Sequence, residues 1–171
     1  MKLFPVACVV TALALATGRV HASPQTAAKP AATPAQTTTT TASKAARTVE
    51  ITGGDTVKFD KTEIAARPGE TLHVVLRSVG TMPKIAMAHN FVLLKLGTDQ
   101  VAFNKAAFTA RETDFIPSEM KDAVIANTGL AGPGETVETT FTVPAKPGRY
   151  PYLCSFPGHF ALGMRGMLIV K

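Results

Sequence analysis

The sequence predicts an all-β fold for residues 48–171, a Greek-key β-sandwich with a short helical insertion. Three observations support this prediction. Short stretches of alternating apolar residues recur through the region, and turn signals such as Pro-Gly separate them at intervals of about eight to twelve residues. Helix-type spacing is confined to one stretch. The region is long enough to bury one hydrophobic core.

The first predicted strands lie in residues 49–59 and 71–78. Apolar residues alternate on both sides of a Gly-Gly-Asp turn in the first stretch, and a Pro-Gly turn leads into the second. Residues 71–78 place three aliphatic side chains on one face: Leu72, Val74 and Leu76. His73 lies on the opposite face, so we expect it to point outward.

The remaining predicted strands lie between residue 89 and the C-terminus. Residues 89–96 are almost continuously apolar, which is typical of a strand buried on both faces. Residues 132–143 begin with a turn and then alternate, and residues 147–154 and 164–171 supply the last two strands. Pro151 has no N–H for a sheet ladder, so it predicts a sheet edge or a local kink.

The alternation stops between Thr98 and Asp122. Apolar residues are spaced there among good helix formers. We expect one or two short helices that pack outside the sheets, and this stretch is the helical insertion of the predicted fold.

The first 47 residues are predicted to lie outside the folded domain. Residues 1–22 combine a lysine, an apolar run of about fourteen residues and small residues before Ala22, as in a cleaved export signal. The run is shorter than the roughly twenty residues that cross a bilayer, which favours a cleaved signal. An uncleaved membrane anchor is the alternative. Residues 23–47 are rich in Ala, Pro and Thr, which predicts a disordered tether. Export predicts a periplasmic location.

The net charge of +6 does not describe the domain. Five of the 18 basic residues belong to the predicted signal and tether, whereas all 12 acidic residues lie in residues 48–171. The domain is therefore close to neutral and carries no arginine run. Nucleic-acid binding loses its main support, and no membrane insertion is expected once the signal is removed.

The most informative stretch is CSFPGHFALGM, residues 154–164. Four residues separate Cys154 from His159, and four more separate His159 from Met164. A strand that ends at Cys154 and a strand that starts near Met164 can bring all three side chains around one point. Thiolate, imidazole and thioether together suit copper better than magnesium or calcium. Cys8 leaves with the signal, so Cys154 has no disulfide partner in the predicted mature chain. The alternative to a metal ligand is that Cys154 is a small buried core thiol.

A trigonal copper site needs a second imidazole. Apart from His159, the predicted mature chain offers His73, which is expected to point outward, and His89. His89 opens a buried strand at one end of the sandwich, so it is the better ligand. Two histidines, one cysteine and a weak axial methionine form the trigonal copper site that is used for electron transfer.

Two segments, MPKIAMAHNFVLL and YLCSFPGHFALGMRGMLIV, resemble the metal-bearing segments of azurins and auracyanins within the cupredoxins, the small blue copper proteins. VIANTGLAGPGETVETTF also resembles the segment that precedes the copper loop of azurins. The likeness covers essentially all of residues 48–171, and the copper loop is its most specific part. The resemblance implies a cupredoxin-like sandwich with one copper ion.

By this resemblance His89, Cys154 and His159 are the equatorial ligands and Met164 is the axial one. In azurin a backbone carbonyl lies opposite the methionine, and the matching residue here is Ala88, where azurin has glycine. The chain also departs from azurin. The spacing between histidine and methionine follows auracyanin, and the azurin disulfide has no counterpart.

The surroundings of the ligands follow from simple chemistry. The Asn90 amide can tie its strand to the copper loop, and the Phe156 N–H can point at the Cys154 sulfur; such contacts hold ligands and tune the potential. Redox partners are expected to dock at an apolar patch around His159, whose imidazole edge would conduct electrons. The patch consists of Met82, Ala86, Met87, Phe156, Pro157, Gly158, Ala161 and Leu162.

The sequence therefore predicts a periplasmic electron-transfer protein with one mononuclear type 1 copper. A periplasmic copper carrier or storage protein without an electron-transfer role is the alternative. A copper enzyme would need further histidines, and only His73 is spare in the predicted mature chain. A dinuclear copper centre would need a second cysteine in the loop, and residues 155–158 contain none.

Overall fold

The computed structural model describes residues 45–171. The predicted export signal and the predicted tether, apart from its last three residues, lie outside the described residues. The first strand begins at Arg47, the last residue assigned to the tether, and the Arg47 guanidinium pairs with Glu70 through an Nε–Oε1 distance of 2.6 Å.

Eight strands and one α-helix form the fold of the described residues. In chain order they are β1 (Arg47–Gly53), β2 (Glu63–Ala66), β3 (Thr71–Ser78), β4 (Val92–Leu94), α1 (Gln100–Ala107), β5 (Val124–Asn127), β6 (Thr136–Thr142), β7 (Gly148–Leu153) and β8 (Arg165–Val170). Two 3-10 helices, Arg111–Thr113 and Ser118–Ala123, separate α1 from β5.

The strands form two sheets. One sheet has three strands in the order β1-β3-β6, and the other has five strands in the order β2-β8-β7-β4-β5. The β1–β3 and β2–β8 pairs are parallel, whereas all other pairs are antiparallel. The prediction of an all-β sandwich with a short helix is confirmed.

The main core lies between the two sheets. The alternation of β3 sends Leu72, Val74 and Leu76 inward from the first sheet, as predicted, and all three are fully buried. The second sheet contributes Leu93 and Tyr152 to the same cluster. Burial of aliphatic and aromatic side chains from both sheets makes the largest favourable contribution to the fold.

A second, smaller core explains why β4 is apolar on both faces. Leu93 faces the main core, whereas Val92 and Leu94 pack with Phe103 of α1 and with Ile116. The expectation of a strand that is buried on both faces is confirmed, and the helical insertion covers its outer face. Asp99 caps α1 by accepting hydrogen bonds from two backbone N–H groups of the first turn.

The position of Pro151 differs from the expectation of a sheet edge, because β7 lies inside the five-stranded sheet. Pro151 is opposite Met167 of β8, and the Met167 N–H donates away from β7 to the Thr62 carbonyl. The missing N–H of Pro151 therefore faces the β4 side, where the ladder has already ended at the pair Leu93–Tyr152. An interior strand tolerates this proline because no ladder hydrogen bond is lost.

Across residues 45–171 the chain has no helix with the length and apolar character needed to cross a bilayer.

Candidate metal centre

The predicted metal loop connects β7 to β8. Cys154 directly follows β7, and β8 starts at Arg165, immediately after Met164. The Cys154 N–H donates to the Met164 carbonyl over 3.0 Å, and the Met164 N–H donates to the His159 carbonyl over 3.0 Å. Gly158 and Gly163 adopt φ values of 86° and 94°, which favour glycine and let the loop turn tightly. The loop is thus closed by backbone hydrogen bonds at its two ends.

His89 lies three residues before β4, and an isolated β-bridge to Ala131 holds its backbone in place. The His89 N–H donates to the Ala131 carbonyl over 2.9 Å, and the Ala131 N–H donates back to the His89 carbonyl over 2.8 Å. The His89 side chain is fully buried.

The structure brings the predicted ligands together. One potential ligand atom from each of His89, Cys154 and His159 lies within 4.8 Å of the other two, and all three residues are buried. The Cys154 Sγ lies 3.4 Å from the His159 Nδ1, and the two imidazole rings are 5.0 Å apart between centroids.

Met164 lies at the same place. It is fully buried, and its Cε atom and the His89 ring both border the Cα of Gly53. His73 lies elsewhere, on the outer side of β3, where its Nε2 is 3.0 Å from a Glu138 carboxylate oxygen. Its expected outward orientation is confirmed.

The unsatisfied atoms at this site fit a soft metal. Neither ring nitrogen of His89 has a hydrogen-bond partner among the described residues, although both are buried. A buried polar atom without a partner is destabilising, so such an atom calls for an explanation. Two imidazoles, a thiol and a thioether form a donor set that suits copper and does not suit a hard cation.

Burial shifts the pKa of Cys154, His89 and His159 in the direction that favours the neutral form of each side chain. It raises the pKa of the Cys154 thiol to about 12, although hydrogen bonds from the backbone N–H groups of Asn90 and Phe156 act in the opposite direction. Burial, with a smaller repulsion from His89, lowers the pKa of His159 to about 4. The pKa of His89 is also lowered by burial, against an attraction from Asp55. Both imidazoles are therefore neutral and able to bind a metal at neutral pH.

Asn90 ties the two metal-binding segments together. Its Oδ1 accepts a hydrogen bond from the Ser155 N–H over 2.9 Å. Its Nδ2 donates to the Ser155 Oγ over 2.9 Å and to the Asp114 carbonyl over 3.0 Å. Because Asn90 follows His89 and Ser155 follows Cys154, these bonds fix the spacing between the two segments.

Ala88 also faces the site. It is fully buried, and its carbonyl oxygen lies 4.0 Å from the Cys154 Sγ. This carbonyl borders the same space as the candidate ligands, and its role as a weak axial contact stays a prediction.

Exposed apolar residues lie within the loop and in the segment that precedes His89. Leu162 is 59% exposed and Met82 is 43% exposed, whereas Met87 is half-buried and packs against the main core. Ile85, which is 77% exposed, was not among the predicted patch residues, although it lies within the same segment. Together with Phe156 of the loop, Ile85 lines an open cleft of about 650 Å³.

Two other features of the site gave no signal in the sequence. Gly53 looked like an ordinary turn glycine, and only the folded chain shows it against Met164 and His89. The helical insertion looked like structural cover, yet its Asp114 carbonyl contacts Asn90. Both depend on contacts between distant parts of the chain.

Comparison with known proteins gives consistent results. The family described as copper binding proteins, plastocyanin/azurin family, matches residues 45–171. Azurin-1 of Alcaligenes xylosoxydans xylosoxydans is 40% identical over 124 residues, which are 70% of this chain and 94% of that protein. Auracyanin-A of Chloroflexus aurantiacus is 36% identical over 127 residues, which are 72% of this chain and 74% of that protein.

Solved structures show the same likeness. The dithionite-reduced auracyanin of Roseiflexus castenholzii aligns with a TM-score of 0.65 and 36% identity, covering 74% of this chain and 99% of the other. An azurin, Az-iso2, from Methylomonas sp. strain J aligns with a TM-score of 0.65 and 33% identity, covering 74% and 99%.

Proposed function

The chain belongs to the plastocyanin/azurin family of copper-binding proteins, and we propose that it carries single electrons between redox proteins in the periplasm. It is an azurin-like blue copper protein that holds one copper ion, and a carrier of this kind is not an enzyme. In this proposal His89, Cys154 and His159 are the equatorial ligands and Met164 is the axial ligand. The observation that carries the proposal is the convergence of three buried ligand atoms within 4.8 Å.

A bound copper ion would supply one-electron chemistry, because copper has the accessible oxidation states Cu(I) and Cu(II). The chain's part is to keep the ligand positions the same in both states. Backbone hydrogen bonds close the loop between Cys154 and Met164, and the Asn90 amide holds the loop to the His89 segment. A rigid ligand frame favours rapid transfer, since little rearrangement accompanies the change of charge.

His159 provides the route for the electron. Its side chain is only 4% exposed, and its ring packs on Phe156 at 4.8 Å between centroids. Phe156 in turn lines the surface cleft beside the exposed Ile85. Apolar side chains beside His159 therefore allow a redox protein to approach the ligand without opening the site, and the charged residues Lys84, Arg111 and Asp114 also line this cleft. The periplasmic location rests on the export signal predicted in residues 1–22.

The decisive experiment adds Cu(II) to the purified protein and records the visible spectrum, followed by cycles of reduction and reoxidation. We expect an intense blue band from Cys154 thiolate bound to Cu(II), which returns after each cycle without loss of copper. The band should vanish in Cys154→Ser and persist in His73→Gln, which removes the outward histidine. A band that survives in Cys154→Ser would refute the site. Release of copper on reduction would instead support a copper carrier or storage protein.

A further inference from the structure

The helical insertion ends in an unusual backbone turn close to the metal centre. After the 3-10 helix Arg111–Thr113, two consecutive residues adopt left-handed conformations: Asp114, with φ 52° and ψ 37°, and Phe115, with φ 61°. One such residue is common at the end of a helix, and aspartate tolerates it. A second one with a bulky aromatic side chain is an outlier, and such conformations persist only where the surroundings enforce them.

The Asp114 side of this turn reaches the Asn90 amide. The Asp114 carbonyl accepts a hydrogen bond from the Asn90 Nδ2 over 3.0 Å. This bond helps to orient the fully buried amide so that its Oδ1 faces the Ser155 N–H. The left-handed turn thus positions the Asp114 carbonyl, which orients the Asn90 amide, and the Asn90 amide in turn holds the Ser155 backbone next to Cys154.

The Phe115 side reaches the loop by a second route. Its ring meets the Phe156 ring edge-on, with centroids 5.2 Å apart and planes at 72°. Phe156 packs on the His159 imidazole, and its backbone N–H is one of the groups that hydrogen bond to the Cys154 sulfur. Phe115 itself is buried, so its ring supports the Phe156 ring on one side.

We propose that Asp114 and Phe115 are positioning residues for the metal centre: their consecutive left-handed turn holds the Asn90 amide and the Phe156 ring, and through them the Cys154 and His159 ligands. The proposal rests on the proposed function, because it assigns these residues a role toward the bound copper. It gives the helical insertion a part in setting the redox properties, beyond covering β4.

The test compares substitutions at Asp114 that favour or oppose the left-handed conformation. Asp114→Gly and Asp114→Asn accept it, so both should keep the copper affinity, visible spectrum and reduction potential of the natural protein. Asp114→Val opposes it, because a β-branched residue is strained there. We expect Asp114→Val to weaken copper binding by about 10- to 100-fold and to shift both the visible band and the reduction potential.

Phe115→Leu tests the second route and decides the question if Asp114→Val does not fold. It should shift the reduction potential and speed copper loss to a chelator, because Phe156 loses its aromatic neighbour. Leu72→Ala is the control for lost stability, since Leu72 lies about six residues along β3 from the Gly53 end, or about 20 Å. It should lower the unfolding midpoint and leave the potential unchanged.

The proposal is overturned if Asp114→Val or Phe115→Leu folds and keeps the natural spectrum, potential and copper affinity. It is also overturned if Leu72→Ala shifts the potential as much as Phe115→Leu, because the readout then only follows stability. Failure of the proposed function looks different: the natural protein itself would show no blue band or no reversible reduction.

Discussion

Gly53 leaves no room for a side chain beneath Met164: a Cβ atom there would lie 2.5 Å from the Met164 Cε and 3.3 Å from the His89 Cγ. Gly53, the last residue of β1, therefore borders the metal centre with a backbone that carries no side chain. The positions of the candidate axial thioether and one candidate imidazole both depend on this absence of a side chain.

Gly53→Ala should consequently disturb the metal centre. The added methyl group must displace the Met164 Cε or the His89 ring, so we expect a shifted visible band and reduction potential. The Met164 Cε is the flexible end of its side chain, so the loss of unfolding free energy should be small, about 1 kcal/mol. Spectroscopy, voltammetry and urea unfolding measure these effects. Gly148→Ala is a matched control, because its Cβ would lie 3.2 Å from the Leu96 Cδ1 at the end of β7 opposite Cys154, so it should leave the spectrum unchanged. An unchanged spectrum in Gly53→Ala would contradict the prediction.

Asn90→Ala should loosen the link between the two metal-binding segments. The substitution removes the acceptor of the Ser155 N–H and two donated hydrogen bonds from a fully buried position. We expect copper affinity to fall by about 10- to 100-fold, as measured by competition with a chelator. Ser155→Ala removes only the hydroxyl and keeps the Ser155 N–H bond, so its effect should be clearly smaller. Equal losses in both variants would argue against a role for the Asn90 Oδ1.

Lysine at the exposed apolar positions should slow electron exchange without altering the copper site. Leu162→Lys and Ile85→Lys change side chains that are 59% and 77% exposed, and each should lower the rate constant of exchange between reduced and oxidised copies by about tenfold. Met87 is less suitable, because its contact with the main core would confuse docking with stability.

Leu96→Lys is the control for the added charge in that experiment. Leu96 is exposed and lies beside Gly148, at the opposite end of β7 from Cys154. It should leave the exchange rate near that of the natural protein. A changed spectrum with unchanged exchange in Leu162→Lys would contradict the docking assignment.

The metal-free protein should lose stability in mild acid. The pKa of His159 is lowered to about 4 in the folded protein from a usual value of 6.5. Above pH 6.5 both states are neutral at this residue, so it contributes no pH dependence. Between pH 6.5 and 4 the unfolded chain binds a proton that the folded chain resists, so the unfolding free energy falls as the pH falls. His89 shifts in the same direction.

Urea unfolding of the metal-free protein at pH 7.5 and pH 5 measures this loss. His159→Gln cannot titrate, so its unfolding free energy should fall less between the two pH values. An equal fall in both proteins would show that His159 does not contribute.

The sequence was sufficient to predict most elements of the fold, but the short strands β2 (Glu63–Ala66) and β5 (Val124–Asn127) were not among the predicted strands. The alternation that places Leu72, Val74 and Leu76 inward is local, and so is the change to helical spacing after Thr98. The parallel pairing of β1 with β3 and of β2 with β8 was not predictable in this way, because pairing partners depend on the topology of the whole domain. The interior position of Pro151 escaped prediction for the same reason, since it requires knowledge of where the ladder to β4 ends.

The candidate site could be predicted as far as donor chemistry and spacing reach. Cys154, His159 and Met164 lie on one short loop, and His89 was the best remaining histidine because it opens a buried strand. The wall at Gly53 and the turn at Asp114 and Phe115 arise from contacts between segments far apart in the chain. No local pattern of residue types carries that information.

The uneven distribution of the candidate ligands along the chain also has a thermodynamic consequence. Cys154, His159 and Met164 stay neighbours even when the sandwich is denatured, whereas His89 joins them only when β4 pairs with β7. An unfolded chain can therefore retain a metal ion on the loop alone, and the stabilisation gained from copper depends on how much tighter the folded chain binds it. The fourth donor thus couples metal occupancy to folding, and replacing His89 should remove much of the rise in melting temperature that copper provides.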